Sequence, residues 1–208
     1  MVARGARPVN SAGLAAWLTG ARLAASIGRA AHAEREPVRG FVQVYTGDGK
    51  GKTTAALGLA LRAAGAGLRV FIAQFAKGVR SGEHAALERL ADRIAVQQYG
   101  RGCLIVGQPS EEDRAAARRG LAEARQALLS GDYQVVILDE ANVAVQLGLF
   151  PVEALLELLD ARPQGVELVL TGRGAHPSVL ERADLVTEMR KVKHYFDRGV
   201  PARRGIEK

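Results

Sequence analysis

A single cysteine, Cys103, in 208 residues leaves no internal disulfide and agrees with a reducing compartment. The four histidines, His32, His84, His176 and His194, are scattered without the ligand spacing of a zinc site. Aromatic residues make up 5 % of the chain, too few to line a groove with base-stacking platforms. No apolar run approaches the roughly 18 to 20 residues that span a bilayer, so no membrane segment is expected. Acidic charge is scarce at both ends. Residues 1–40 hold six basic and two acidic side chains and residues 187–208 hold seven and three, so the formal +7 belongs to the ends and the body from 41 to 186 carries −1. A nucleic-acid groove across the body is without support, and no nucleic-acid partner is expected.

What the chain does have is a phosphate-binding loop. Thr46-Gly47-Asp48-Gly49-Lys50-Gly51-Lys52-Thr53-Thr54 lies between the apolar run Phe41-Val42-Gln43-Val44-Tyr45 and a small-residue stretch with helical character. Three glycines let the backbone curl until its N–H groups face phosphate oxygens, and the following helix adds its positive end. Lys52 supplies charge and Thr53 a hydroxyl for magnesium. The general pattern Gly-x4-Gly-Lys-Ser/Thr is met in its second half, but Thr46 occupies the first glycine position and the glycines are shifted. Nucleotide binding follows from strand, glycines, Gly-Lys-Thr-Thr and helix in that order.

Length and apolar content suit one domain with its own core. Short β-rich runs alternate with helical patterns, which predicts an α/β fold: a P-loop NTPase-like open parallel sheet of about six strands with helices on both faces. The strands are placed at 40–45, 69–75, 94–99, 134–139, 167–171 and 185–188. A helix is predicted over 111–129, with Ser110 and Asp113 as an acidic capping box and Leu121, Ala124, Ala127 and Leu128 as its buried stripe. Pro151 and Pro177 open short helices through Leu159 and about Arg182. Residues 1–36 are expected as a partly disordered extension, with a helix around Leu14, Trp17, Leu18 and Leu23 that docks on the body or a partner, and residues 37–208 as the domain. Ala31-His32-Ala33 mimics a signal-peptidase site, but Arg22 interrupts the apolar stretch and the loop needs ATP, so a cytoplasmic protein is expected.

Ligands of open parallel sheets gather at the carboxyl ends of the strands. Four informative segments fall there: the phosphate loop, Gln74-Phe75-Ala76-Lys77-Gly78, Asp139-Glu140-Ala141-Asn142 and Thr171-Gly172-Arg173-Gly174. Val135-Val136-Ile137-Leu138-Asp139-Glu140 is an apolar strand ending in two carboxylates, the form of a second nucleotide motif that holds magnesium. Order alone leaves open which carboxylate lies nearer the ion. Arg173, on a Gly-flanked turn, can reach a phosphate with two donors. Lys77 and Arg80 either contact substrate or are solvated. The basic stretch from Glu188 to Gly199 interleaves Tyr195 and Phe196 and is expected to pack onto something.

Taken together, in this order and spacing, these segments resemble the ATP:corrinoid adenosyltransferases over residues 40–208. Besides the loop, the resemblance is carried by Leu138-Asp139-Glu140, Ala161-Arg162-Pro163, Thr171-Gly172-Arg173-Gly174, Ala183-Asp184-Leu185-Val186-Thr187-Glu188-Met189-Arg190, Val192-Lys193-His194 and Arg204-Gly205-Ile206-Glu207. It implies attack by cobalt(I) of a corrinoid on C5′ of ATP with triphosphate leaving, in cobalamin (coenzyme B12) biosynthesis or salvage. It further implies that Gly47, Asp48, Gly49, Lys50, Gly51, Lys52, Thr53, Thr54 and Arg173 bind the triphosphate. Thr53 and Glu140 would hold Mg2+, with Asp139 behind them or sharing the ion, and Lys52, Thr53 and Glu140 would be the catalytic set. ATP held reversed in the loop, an electron donor for cobalt, a homodimer and an N-terminal segment folding over the site are also implied. The acceptor it implies is cobyrinic acid diamide, cobalamin or both, and the sequence leaves that choice open.

In one place the chain departs from that pattern. Better-known members carry Gly-Phe-x-Trp after the third strand, where this chain reads Tyr99-Gly100-Arg101-Gly102-Cys103-Leu104-Ile105. Tyr99, Leu104 or Ile105 then presses on the corrin, or corrinoid binding differs; Cys103 is read as a buried structural thiol. Two rival functions stay open on sequence alone. One is a P-loop ATP hydrolase in which Glu140 polarises water, giving ADP and orthophosphate, and the other is a nucleotide-dependent corrinoid carrier.

Overall fold

The computed structural model describes residues 39–207 apart from 101, 103, 104 and 106, so the expectations for residues 1–36, Cys103 and Leu104 lie outside the described residues. Among the described residues fourteen elements follow one another in the alternating order the sequence predicts. They are β1 (Val42–Thr46), α1 (Lys52–Gly65), β2 (Val70–Phe75), α2 (Gly82–Leu87), β3 (Ile94–Tyr99), α3 (Glu111–Leu129), β4 (Val135–Asp139), α4 (Ala141–Gln146), α5 (Val152–Asp160), β5 (Glu167–Thr171), α6 (Pro177–Arg182) and β6 (Leu185–Glu188), with 3-10 turns at Glu88–Leu90 and Tyr195–Arg198. The six strands form one sheet in the order β3-β2-β4-β5-β1-β6, every neighbouring pair parallel. All carboxyl ends therefore share one edge, and the phosphate loop, the Gln74 and Asp139 segments and the Thr171 turn meet there.

Strand alternation divides the core into two layers. Val70 and Ile72 of β2, Val135 and Ile137 of β4 and Val169 of β5 face α1 and α2. Phe71, Ala73 and Phe75, Val136 and Leu138, Leu168 and Leu170 point the other way, against α3, α4, α5 and α6. The central strands β2 and β4 are buried at every residue, which is why they read as apolar runs interrupted only by Gln74 and Asp139 near their carboxyl ends. Each fully buried side chain such as Ile72 or Leu138 contributes about 1.5–3 kcal/mol.

The two layers are built differently. α1 presents Ala56, Ala60 and Ala63, spaced on one helical face, and their small side chains let it lie close to the sheet. α3 starts at the predicted capping box: Ser110 Oγ accepts from Asp113 N at 3.2 Å and Ser110 N donates to Asp113 Oδ2 at 3.0 Å. Its buried stripe is Ala116, Ala117, Gly120, Ala124, Ala127 and Leu128, with Leu121 only half-buried. Gly120, a poor helix former, sits where a Cβ would lie 2.5 Å from the Tyr99 ring. That ring is buried beneath α3, with its hydroxyl donating to Glu123 Oε2 at 2.6 Å. Tyr99 is thereby removed from any role on a corrin face, and Ile105 packs half-buried against the same core.

Two motifs from the sequence fasten the amino end of the sheet, away from the site. Arg162 Nη1 donates to the carbonyls of Gly40, Pro163 and Val166 at 3.0, 3.1 and 2.8 Å, tying the approach to β1 to that of β5. Asp184 Oδ2 accepts from Val42 N at 2.8 Å, tying β1 to the start of β6. Since β1 delivers the phosphate loop, its register is set from this end. Arg162→Ala should lower unfolding free energy by about 2 kcal/mol, or roughly 4–8 °C in Tm, as a charged donor to three carbonyls is lost. Urea and thermal melts of the ligand-free protein check this, and an unchanged midpoint would show that the clamp contributes nothing.

Candidate active site

The loop leaves β1 at Thr46 and closes on itself through Lys52. Lys52, the first residue of α1 and almost fully buried, donates from Nζ to Gly47 O at 2.6 Å and Gly49 O at 2.8 Å. Gly51 caps α1 at φ 116°, a left-handed conformation that L side chains avoid. The shifted glycines have a second cause that only the fold reveals. The chain leaving β6 runs against the loop, with Met189 N donating to Thr46 O at 2.9 Å and Gly49 N to Met189 O at 2.6 Å. A Cβ on Gly47 or Gly49 would stand 2.5 or 2.7 Å from Met189 O, so both positions must lack one. Thr46, at the first motif position, is engaged through its side chain as well. Its Oγ1 accepts from Ala175 N at 3.2 Å and joins the loop to the turn after β5.

Beneath the loop lies Asp139, only 1 % exposed. Its Oδ1 accepts from Thr53 Oγ1 at 2.8 Å and Thr171 Oγ1 at 2.7 Å, and its Oδ2 from Gln74 Nε2 at 3.1 Å. Parallel register brings these donors together: Gln74 is the cross-strand partner of Asp139, and Thr171 ends the strand on the other side. A buried carboxylate without such donors would cost several kcal/mol. Thr171 Oγ1 also accepts from Glu140 N at 2.9 Å, so one hydroxyl holds both acidic residues of the motif. Glu140 takes a left-handed backbone, φ 60°, which turns the chain out of β4 and into α4. Its side chain lines the cleft whereas that of Asp139 stays underneath.

That cleft has a volume of about 790 Å³. Of the residues singled out from sequence it is lined by Asp48, Gly49, Lys50, Gly51, Lys52, Thr53 and Thr54 of the loop, and by Glu140 and Arg173. Of the residues assigned to the triphosphate or the metal, Gly47 and Asp139 do not line it; the first abuts Met189 and the second lies below Thr53. Of the two basic residues after β2, Lys77 lines the cleft and pairs with Glu83 at 3.3 Å, while Arg80 pairs with Glu88 on the exposed surface. Of the stretch from Glu188 to Gly199, His194 lines the cleft and Tyr195 is half-buried, but Phe196 is 71 % exposed, so the expected packing is only partial; Gly205, Ile206 and Glu207 complete the wall, and Lys50 Nζ donates to Ile206 O at 3.4 Å. Within that wall Tyr195 and Arg203 both bond Glu207, and the Arg203 guanidinium lies 4.9 Å from the Tyr195 ring centroid. Sequence reasoning missed Thr171 and Gln74 as supports of Asp139. A glutamine inside the otherwise apolar run Val70-Phe71-Ile72-Ala73-Gln74-Phe75 was the available signal.

Charge of both signs lines the cleft, with Lys50, Lys52, Lys77 and Arg173 set among Asp48, Glu83, Glu140 and Glu207. Burial holds the Lys52 ammonium below its ordinary value, with Glu140 pulling it up, Arg173 pushing it down and Asp48 pulling it up. Burial first and Asp139 second raise the Glu140 carboxyl, while Lys52, Lys77 and Arg173 act in the opposite direction. Among the described residues no group of three or more His, Cys, Asp or Glu could hold a metal by itself. The oxygen donors of Thr53 and Glu140 suit a hard cation that takes its other ligands from phosphate and water.

A family model described as ATP:corrinoid adenosyltransferase BtuR/CobO/CobP matches residues 38–207. The corrinoid adenosyltransferase of Escherichia coli is 41 % identical over 176 residues, covering 84 % of this chain and 89 % of that protein. That of Pseudomonas aeruginosa is 39 % identical over 176 residues, covering 84 % and 87 %. Corrinoid adenosyltransferase CobA of Salmonella typhimurium is 40 % identical over 180 residues, covering 86 % and 90 %.

The raised Glu140 pKa has a measurable consequence. An acid whose folded pKa exceeds the unfolded value contributes stability that is complete below that ordinary value of 4.5 and is lost as pH rises through the folded pKa. Glu140→Gln keeps the uncharged shape, so the ligand-free variant should be more stable than wild type at neutral pH and indistinguishable near pH 4. Denaturant melts across pH 4–8 test this, and a variant less stable than wild type at pH 7 would overturn it.

Proposed function

This chain belongs to the ATP:corrinoid adenosyltransferase family, and on that premise we propose which of its residues carry the transfer of the adenosyl group of ATP to a corrinoid. The observation that carries the assignment is the convergence of the loop, Lys52, Thr53, Glu140 and Arg173 on one cleft. In this reading the triphosphate of ATP rests against Asp48 to Thr54, with its charge met by Lys52, the loop N–H groups, Lys50 and Arg173. The electron pair of cobalt(I) forms the cobalt–carbon bond at C5′, and the pair of the C5′–O bond leaves with triphosphate. No proton is transferred in that exchange, so no general base is required. What the chain supplies is position and charge: it holds C5′ towards the cobalt and stabilises the negative charge growing on the leaving group.

Thr53 and Glu140 would hold magnesium, and Asp139 accepts the Thr53 proton so that an oxygen lone pair is left for the ion. When bound, magnesium supplies counter-charge to triphosphate oxygens. The reading further takes the acceptor as cobyrinic acid diamide or cobalamin, reduced by an electron donor, and the protein as a cytoplasmic homodimer. No helix of the described residues is long and apolar enough to cross a membrane. The family match begins at residue 38, and residues 1–36 are read as an extension ahead of the domain.

Mixing the protein with ATP, magnesium and a chemically reduced corrinoid should change the absorption spectrum to that of a cobalt–carbon bond, with stoichiometric triphosphate. Orthophosphate and ADP without adenosylated product would overturn the reading in favour of a hydrolase. Lys52→Ala should lower kcat by about 10²–10³-fold, the effect of removing one donor to developing charge, while circular dichroism shows the fold retained. Wild-type turnover in that variant would mean that the loop is not the triphosphate site.

A further inference from the structure

Two buried polar side chains have no part in the adenosyl transfer itself. Gln74 is 1 % exposed and His84, on α2, is 7 % exposed, in a region otherwise filled by Ile72, Leu87 and Ile94. They are joined end to end. Ser81 N lies 3.1 Å from His84 Nδ1, His84 Nε2 lies 2.8 Å from Gln74 Oε1, and Gln74 Nε2 lies 3.1 Å from Asp139 Oδ2. We propose that His84 and Gln74 are positioning residues, which fix the orientation of the Asp139 carboxylate and through it the Thr53 hydroxyl that meets magnesium. This rests on the reading of Thr53 and Glu140 as the magnesium-holding pair.

The direction of each bond follows from the one before it. A backbone N–H can only donate, and Ser81 N lies nearer to Nδ1 of His84 than Ser81 O or Oγ does, 3.1 Å against 3.3 Å, which makes Nδ1 the acceptor and puts the ring proton of neutral His84 on Nε2. That proton requires an oxygen, which assigns Gln74 Oε1 to His84 and leaves the Gln74 amine for Asp139. The flipped amide would set an oxygen against a carboxylate oxygen and an N–H against an N–H, both repulsive. With Oδ2 of Asp139 held by Gln74 and Oδ1 held by Thr171, the carboxylate cannot rotate, and Oδ1 stays where it accepts the Thr53 proton. The relay therefore runs from the cap of α2 to the hydroxyl at the cleft floor. It also ties that hydroxyl to the helix that carries Glu83, the partner of Lys77 on the cleft wall. An apolar pair in place of Gln74 and His84 would fill the same space but leave Asp139 free to turn.

Two substitutions of His84 separate this role from packing. His84→Asn keeps an acceptor near Nδ1 for Ser81 but has no donor that reaches Gln74. His84→Gln keeps a donor near Nε2 but loses the acceptor that caps α2. Calorimetric titration of the full-length protein with MgATP, and with ATP in excess EDTA, reads the effect without turnover. His84→Asn and Gln74→Met should weaken MgATP binding by about tenfold, the effect of losing a partner behind a metal ligand, with metal-free ATP affinity unchanged. His84→Gln should restore MgATP affinity despite a lower Tm. In steady state, His84→Asn should raise the magnesium concentration for half-maximal rate more than it raises the KM for ATP.

Wild-type MgATP affinity in His84→Asn overturns the proposal. Equal losses in the Asn and Gln variants, or losses of MgATP and ATP affinity that follow Tm, overturn it as well, because these mark a packing role. A wild-type protein that binds ATP equally well with and without magnesium would instead remove the magnesium reading on which the relay depends.

Discussion

The buried carboxylate of Asp139 is the constraint around which the carboxyl edge of the sheet is organised. It sits at the end of β4, in the middle of an apolar sheet, and its charge is compensated by Thr53 from α1, Thr171 from β5 and Gln74 from β2. Each donor comes from a different element, so the carboxylate is fully bonded only when the two neighbouring strands and the first helix are in register. A slip of one residue in a parallel strand would turn Gln74 or Thr171 to the opposite face of the sheet. The polar cluster thus rewards the same register that the apolar alternation demands, and the agreement of the two makes the site a consequence of the fold.

From that centre the loop and the C-terminal segment are built outward. Lys52 bonds the loop carbonyls from within, and Met189 pairs with the loop from outside as β6 continues past its last ladder bond. The contact is backbone to backbone, which explains why two glycines lie where the general motif has none. It also explains the exposure of β6 at every residue: the strand covers no core and instead delivers the segment that walls the cleft with His194, Gly205, Ile206 and Glu207. The glycine pattern that made the loop look unusual as a motif is thus tied to a partner more than a hundred residues away.

Much of this was legible beforehand. All six strands, α3 with its acidic capping box and the two proline-led helices lie within a few residues of where periodicity places them, because each carries a strong local signal. α2 and α4, six residues each, have no full amphipathic repeat and had no separate expectation. Among site residues, the loop, Glu140 and Arg173 line one cleft as their positions at strand ends suggest. Asp139 was expected either behind Thr53 and Glu140 or sharing the ion, and its three donors, Thr53, Thr171 and Gln74, are what the sequence did not supply. Arg162 and Asp184, part of the family resemblance, turn out to clamp the amino end of β1.

The sequence by itself determined that a nucleotide is bound, that a parallel α/β sheet presents the loop, and which family the chain resembles, because spacing within a single segment carries that information. Only the tertiary structure decided the division of labour between Asp139 and Glu140, the reason for Gly47 and Gly49, the burial of Tyr99, and the link from His84 through Gln74. Each of these depends on which residues of separate strands and helices become neighbours. Strand order in the sheet fixes that, and no local window of sequence contains it.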